Sequence, residues 1–190
     1  MKKIIALSGI LIFVVIAWFL ASPLFINKTV DEAIPSKEEL MAMPKEKRAQ
    51  IIQAVTKNMA AMPDSAMQEK MLMQSPILLK QGIFKDADSI HQGSGKASVY
   101  QLEDGSHLLR LEDFKVTNGP DLMVYLAKKS DITEASQVTD GFISLGDLKG
   151  NIGNQNYIIP AGTDISKYNS AVIWCELFGV LFSPATLQQH

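Results

Sequence analysis

The stretch KASVYQLEDGSHLLRL, residues 96–111, determines the fold class expected for this chain. Its two halves, Lys96–Leu102 and His107–Leu111, are short runs rich in apolar residues, a pattern typical of β-strands. Between them lies Asp104-Gly105, a pair favoured in the tight turns of β-hairpins. The stretch therefore predicts two antiparallel strands joined by a turn.

Further short apolar runs follow towards the C-terminus, with Gly, Asn and Pro between them. No helical pattern of about 10–15 residues separates these runs, so a parallel βαβ sheet is not expected. Residues 77–190 are expected to form a mainly β domain, an antiparallel β-sandwich or barrel. The additional strands are predicted at Leu122–Ala127, Gly141–Leu145, Gln155–Ile159, Ala171–Glu176 and Val180–Phe182.

The N-terminal residues 1–28 are expected to form a transmembrane helix. The apolar run Ile4–Ile26 follows Lys2 and Lys3 and is long enough to cross a hydrocarbon core of about 30 Å. A cleaved signal peptide is the alternative, but the run exceeds the usual ~7–15 apolar residues and no A-x-A site follows it. The flanking lysines predict a single-pass protein of the cell membrane with a cytoplasmic N-terminus and an extracytoplasmic remainder.

Residues 29–76 are expected to form a short helical stalk rich in methionine. The stretch 31–75 contains no glycine and is dominated by good helix formers. Two interpretations of its methionines stay open, a thioether site for Cu(I) and a flexible apolar packing face. The absence of His and Cys among them favours packing. Seven methionines are involved: Met41, Met43, Met59, Met62, Met67, Met71 and Met73.

Composition and charge exclude several classes of protein. The net charge of −2 argues against a nucleic-acid-binding protein, which would normally carry a basic patch. A single cysteine excludes an intramolecular disulfide, a CxxC redox pair and a cysteine-rich metal site. No hydrolase or zinc-protease motif is present. The sequence therefore does not predict a conventional enzyme, and no metal-ligating residues are assigned.

Cys175 is the leading candidate for a chemically active residue. It lies in a predicted buried strand, where a free cysteine often only fills space. The alternatives are a redox thiol, a thiolate ligand or a mixed disulfide with a partner protein. Trp174, Tyr125 and Tyr157 are candidate aromatic neighbours, although a core role is the simpler interpretation of each.

Two histidines and one loop complete the candidates. His91 and His107 are considered as axial haem ligands, because haem iron accepts His, Met or Cys, but exposed histidines without a ligand are commoner. The loop formed by Asn118, Gly119, Pro120 and Asp121 has the composition of a turn. The cofactor is left undetermined between none, haem and copper.

Several blocks of sequence resemble the DM13 domain family, in the same order along the chain. The resemblance implies an extracytoplasmic β-rich module that takes part in electron transfer or redox reactions. It also implies that Cys175 is the family's characteristic cysteine, with a redox or protein partner outside the cytoplasm. A non-catalytic binding module with a structural cysteine is the alternative. The matching blocks are Leu109–Phe114, Asn118–Leu126, Leu148–Pro160 and Val172–Cys175, with Phe178 and Phe182.

Overall fold

The computed structural model describes residues 17–18, 26–35 and 76–190. The last two ranges together form two β-sheets, with one short helix, α1 (Ala135–Thr139), and one 3-10 turn at Ile165–Lys167. The expectation of a mainly β domain is confirmed. The strands are β1 (Thr29–Asp31), β2 (Ile77–Ile83), β3 (Gly93–Gln101), β4 (His107–Val116), β5 (Leu122–Ala127), β6 (Phe142–Asp147), β7 (Ile152–Ile159), β8 (Ser170–Cys175), β9 (Val180–Thr186) and β10 (Gln188–Gln189).

The two sheets have different sizes. One is six-stranded in the order β1-β7-β4-β3-β2-β10, and the other is four-stranded in the order β6-β5-β8-β9. All pairings between neighbouring strands are antiparallel except that of β1 with β7, which is parallel. Because the apolar side chains of both sheets meet in one core, the domain is a β-sandwich.

The predicted hairpin and the later strands are confirmed, with longer limits in several cases. β3 and β4 pair from Gly93–Val116 to Gln101–His107, and Gly105 has a φ of 80° in the turn between them. β9 continues past the predicted end and includes Pro184, which an edge strand tolerates because its outer N–H groups need no partner in the sheet. Strand β2 was not predicted: Lys80 is buried within it and a bulge follows Leu78, so its apolar alternation is broken.

The core lies between the sheets and contains most of the large buried side chains. Phe114 packs edge-on against Phe84 with ring centroids 5.0 Å apart. A second cluster lies on the outer face of the four-stranded sheet, where Tyr125 and Trp174 are covered by Ile132 and Val138 from the connection that contains α1. Both faces of β5 and β8 are thus buried, as their nearly continuous apolar sequences require.

Residues 26–35, which we call the strap, are bound to the β domain. β1 of the strap pairs with β7, and Ile34 packs on the cluster formed by Leu102 and Leu108. The helical stalk predicted for residues 29–76 is therefore wrong at its beginning. The backbone of Thr29–Asp31 finds hydrogen-bonding partners on β7 that a separate helix would not use.

Most of the N-terminal predictions concern residues outside the described ranges. This applies to the apolar run Ile4–Ile26 apart from Ala17, Trp18 and Ile26, and to all seven methionines of the predicted stalk. Among the described residues, no helix combines the length and the apolar character that crossing a membrane requires.

Candidate functional site

Cys175 is the last residue of β8, and its side chain points into the core between the sheets. It is fully buried and is opposite Leu122 of β5. Its sulfur donates a hydrogen bond to the carbonyl oxygen of Pro120 at 3.1 Å. The sulfur is thus enclosed by the core and by the loop that contains Pro120, so an external reagent reaches it only if the surrounding residues move.

The loop Asn118–Asp121 covers the end of the core beside Cys175. The backbone of Asp121 has a φ of 52°, and its carbonyl oxygen accepts a hydrogen bond from the Glu176 N–H. The composition of the turn suggests a glycine with a positive φ, but Gly119 is required for a different reason. A Cβ atom on Gly119 would lie 2.5 Å from Cζ of Phe182, so the close approach of this ring excludes a side chain.

The same loop is joined to the strap through asparagine side chains. Asn118 donates from Nδ2 to Oδ1 of Asn27 at 2.9 Å, and Asn151 donates to the same oxygen at 3.0 Å. Asn151 also accepts the backbone N–H of Lys28 at 2.6 Å. The start of the strap therefore lies at the end of the sandwich that contains Cys175, which we call the strap end.

Two glycines of the Gly150–Asn156 stretch allow the strap to approach β7. A Cβ on Gly150 would lie 2.3 Å from the Lys28 carbonyl oxygen, and one on Gly153 would lie 1.9 Å from that of Val30. Sequence reasoning missed this contact. Gly153 lies inside the observed β7 but before the predicted strand Gln155–Ile159, so the usual signal, a glycine within a strand that another backbone approaches closely, was not recognised.

Charged side chains hold the middle of the strap. The Glu32 carboxylate accepts hydrogen bonds from Nζ of Lys149 at 2.8 Å and from the backbone N–H of Asn156 at 2.8 Å. Arg110, which is nearly buried, donates to the Glu32 carbonyl oxygen at 2.7 Å and to the Glu112 carboxylate at 3.1 Å. The strap is thus fixed by backbone pairing and by ionic contacts.

The candidate aromatic neighbours divide between the two faces of the sheet. Trp174 and Tyr125 are buried on the outer face, with ring centroids 6.4 Å apart, whereas Cys175 lies on the inner face. The Tyr125 hydroxyl donates to the Glu176 carboxylate. Burial is the larger cause, and this hydrogen bond the smaller one, of the raised pKa of Tyr125. Strand alternation therefore places the Glu176 carboxylate on the face opposite the thiol.

Tyr157 lies in the same core as Cys175, but its hydroxyl belongs to a separate buried network. The hydroxyl donates to Gln155 at 2.9 Å and accepts the backbone N–H of Lys149 at 3.0 Å. Burial raises the pKa of Tyr157 above its usual value. Its position supports the core interpretation.

His91 lies at the strap end, in the connection between β2 and β3. Its ring packs on Phe182 with centroids 4.4 Å apart, and Nδ1 lies 2.7 Å from the Asp88 carboxylate. The hydrogen bond from the His91 side chain, with those from the backbone N–H groups of His91 and Ile90, lowers the pKa of Asp88 to about 2. His91 therefore stabilises the loop in which it lies.

His107 is at the opposite end of the sandwich. It begins β4, which is 10 residues long, and the strap end begins where β4 ends, so about 30 Å separates His107 from that end. Burial lowers the pKa of His107. His107 and Cys175 therefore cannot bind the same haem.

The described residues do not fit a haem or a metal ion at Cys175. The sulfur is enclosed and hydrogen-bonded to Pro120, and His91 is engaged with Asp88 and Phe182. Within residues 26–35 and 76–190, no three His, Cys, Asp or Glu side chains are grouped as metal ligands would be. The copper hypothesis concerns methionines outside the described residues.

Comparison with known proteins assigns the domain to a family. A family model described as electron transfer DM13 matches residues 84–187, which include the Asn118–Asp121 loop and Cys175. No curated protein and no solved structure matches the chain. The match covers more than half of the 190 residues and contains β3–β9, so the chain belongs to the DM13 family, whose description is electron transfer.

Proposed function

We propose that this chain is a single-pass membrane protein whose extracytoplasmic DM13 domain takes part in electron transfer through Cys175. The family assignment supports a redox-related role, and Cys175 is the only thiol that the chain offers. The apolar run Ile4–Ile26 after two lysines supports the anchor and its orientation. The Met-rich segment then connects the strap to β2.

One observation carries the proposal: the thiol is hydrogen-bonded to the Asn118–Asp121 loop. A change in that loop alone would break the bond to Pro120 and open the end of the core, without requiring β8 to leave the sheet. The loop itself is held by Asn27, by packing on Phe182 and by the Glu176 N–H. Access to the sulfur is therefore controlled by a small part of the domain.

Once the loop has moved aside, the chemistry that suits a single thiol is exchange with a disulfide of a partner. Cys175 loses its proton to solvent, and the thiolate attacks one sulfur of the partner's disulfide. An S–S bond forms between Cys175 and the partner, the partner's own S–S bond breaks, and its second sulfur leaves as a thiolate. The Cys175 sulfur is oxidised to a mixed disulfide, and the partner's leaving sulfur is reduced to a thiolate.

Reaction of the full-length protein with an aromatic disulfide reagent tests this proposal. The matched control is Ala171→Cys in a Cys175→Ala background, because Ala171 is also fully buried on the inner face of β8 but lies away from the loop. We expect the native protein to react at Cys175 much faster than the control does. Gly119→Ala should accelerate the reaction further, since its methyl group must displace the loop or Phe182.

Equal rates for the wild type and the control, both limited by global unfolding, would contradict the proposal. Cys175→Ser provides a second measurement in the cell, because a hydroxyl can still donate to the Pro120 oxygen but cannot exchange disulfides. We expect this variant to keep its fold and lose its cellular function.

A non-catalytic interaction module is the second candidate function. The complete burial of the Cys175 side chain favours it, since free cysteines are often core residues of small volume. This alternative predicts that Cys175→Ser and Cys175→Ala both retain the cellular function. The same variants therefore separate the two candidates.

A further inference from the structure

The most exposed apolar side chains of the β domain and strap are concentrated at the strap end. Leu177 and Phe178, in the turn after Cys175, are 52% and 65% exposed, Ile90 is 71% exposed, and Ile83, which ends β2 towards the same end, is 54% exposed. Ile26, at the start of the strap, is 60% exposed. Ile77 and Phe142, towards the opposite end, are less exposed, at 36% and 40%.

These side chains share one end because their loops are bonded to each other. Thr117, which precedes the Asn118–Asp121 loop, donates from its hydroxyl to the Ile90 carbonyl oxygen at 3.2 Å. Glu176, immediately before Leu177, donates its N–H to the carbonyl oxygen of Asp121. Ile26 adjoins Asn27, which accepts hydrogen bonds from Asn118 and Asn151.

Chain connectivity brings this end to the predicted membrane segment. Ile26 is the last residue of the apolar run Ile4–Ile26, and the next residue, Asn27, is already bound to the domain. No linker separates the two. The strap then stays bound through β1 and through Glu32, so the chain is held against the domain from Asn27 to Glu32.

The charges at this end do not favour one class of lipid headgroup. Lys28 and Lys85 lie there with Asp86, Asp88, Asp121 and Glu176, so a small excess of negative charge gives anionic headgroups no advantage. Exposed aliphatic and aromatic side chains beside a membrane segment are instead suited to the interfacial region of a bilayer. Connectivity and chemistry therefore both support a bilayer surface as what contacts the exposed side chains of this end.

We infer that the strap end faces the membrane, with Ile90, Leu177 and Phe178 in contact with the bilayer interface. The inference rests on the proposed membrane anchor. It also places the loop over Cys175 on the membrane-facing side, so a partner that reaches the thiol through this loop approaches along the membrane surface.

Fluorescence quenching by lipid tests the inference on the full-length protein in phosphatidylcholine vesicles. In a Cys175→Ala background, an environment-sensitive fluorophore is attached to Phe178→Cys or Ile90→Cys. The controls are Glu103→Cys and Ala161→Cys, two exposed positions at the opposite end. Lipids with a nitroxide at the headgroup or upper acyl chain should remove most of the fluorescence at 178 and 90 and leave the controls unchanged.

Vesicle flotation separates failure of this inference from failure of the anchor. A protein that floats with vesicles but is quenched equally at all four positions would overturn the membrane-facing orientation while the anchor stands. A blue-shifted but unquenched label at 178 would mean that protein, such as a second copy, covers the surface, and would also overturn it. A protein that does not float would contradict the anchor and this inference together.

Discussion

The two ends of the sandwich are closed in different ways. At the strap end, side-chain hydrogen bonds of asparagines join the strap to the β4–β5 and β6–β7 connections, and hydrogen bonds from Thr117 and Glu176 join in the β2–β3 and β8–β9 connections. At the opposite end, the turn at Asp104-Gly105 and the connection after β7 close on themselves, through Ser106 to Asp104 and Thr163 to Pro160. Distant residues also meet at the opposite end, where Asn169 donates to the Lys128 carbonyl oxygen and Lys80 to that of Tyr168, but only the first end is hydrogen-bonded to the start of the strap.

This difference assigns separate roles to the two ends. Local turns form whenever their own residues allow, so they stabilise the sandwich without responding to anything outside it. The strap end combines contacts from residues more than 90 positions apart, such as Asn27 with Asn118. Changes to the strap can therefore reach the loop over Cys175 through Asn27.

The largest expected effect comes from comparing Gly153→Ala with Gly162→Ala. Both glycines have positive φ, 104° and 80°, but only Gly153 lies against the strap. We expect Gly162→Ala to cost about 1 kcal/mol of unfolding free energy for its backbone alone. Gly153→Ala should cost about 3 kcal/mol, because its methyl group also collides with the Val30 carbonyl.

Chemical denaturation of both variants measures the difference, and amide hydrogen exchange at β1 locates it. Gly153→Ala should lose exchange protection in β1, whereas Gly162→Ala should keep it. Equal costs, with β1 still protected, would show that the strap contributes nothing to the stability of this end.

A smaller effect is expected for Gly119→Ala. Its methyl group would overlap the Phe182 ring, an overpacking that typically costs about 1–3 kcal/mol. Phe182→Leu in the same chain should recover part of the loss, because the smaller side chain makes room. A double-mutant cycle by urea denaturation measures the coupling. Strict additivity would contradict the contact between this loop and Phe182.

The smallest effect is expected at His107, at the opposite end. Burial holds its folded-state pKa below the unfolded value of 6.5, so as the pH falls through this region the unfolded chain binds the proton first. The contribution of His107 to the unfolding free energy should be complete above about pH 6.5 and should decline below it. In His107→Gln, the dependence of Tm on pH should become flatter near pH 6. An unchanged slope would assign the dependence to other groups.

The hairpin, the later strands and the burial of Cys175 could be predicted from sequence because each depends on neighbouring residues. Leu122–Ala127 was predicted with its observed limits, since a continuous apolar run identifies a strand buried on both faces. The Asp104-Gly105 turn was predicted for the same local reason.

The strap and the surroundings of the thiol depend on contacts that no local pattern specifies. Thr29–Asp31 is only three residues long and pairs in parallel with a strand more than 120 residues away. The separation of Trp174 and Glu176 from Cys175 follows from strand alternation, but the hydrogen bond from Cys175 to Pro120 requires the three-dimensional arrangement of a loop. The reason for Gly119 likewise depends on Phe182, 63 positions further along the chain.

The order of strands in the larger sheet has a consequence for self-association. Its long strands β7 and β2 are not at the margins, because β1 and β10, of three and two residues, lie outside them. Unpaired N–H and C=O groups on a long, flat margin would be a template for adding strands from other molecules. Loss of the strap, residues 26–35, would expose β7 in this way. The strap therefore also protects the domain from aggregation.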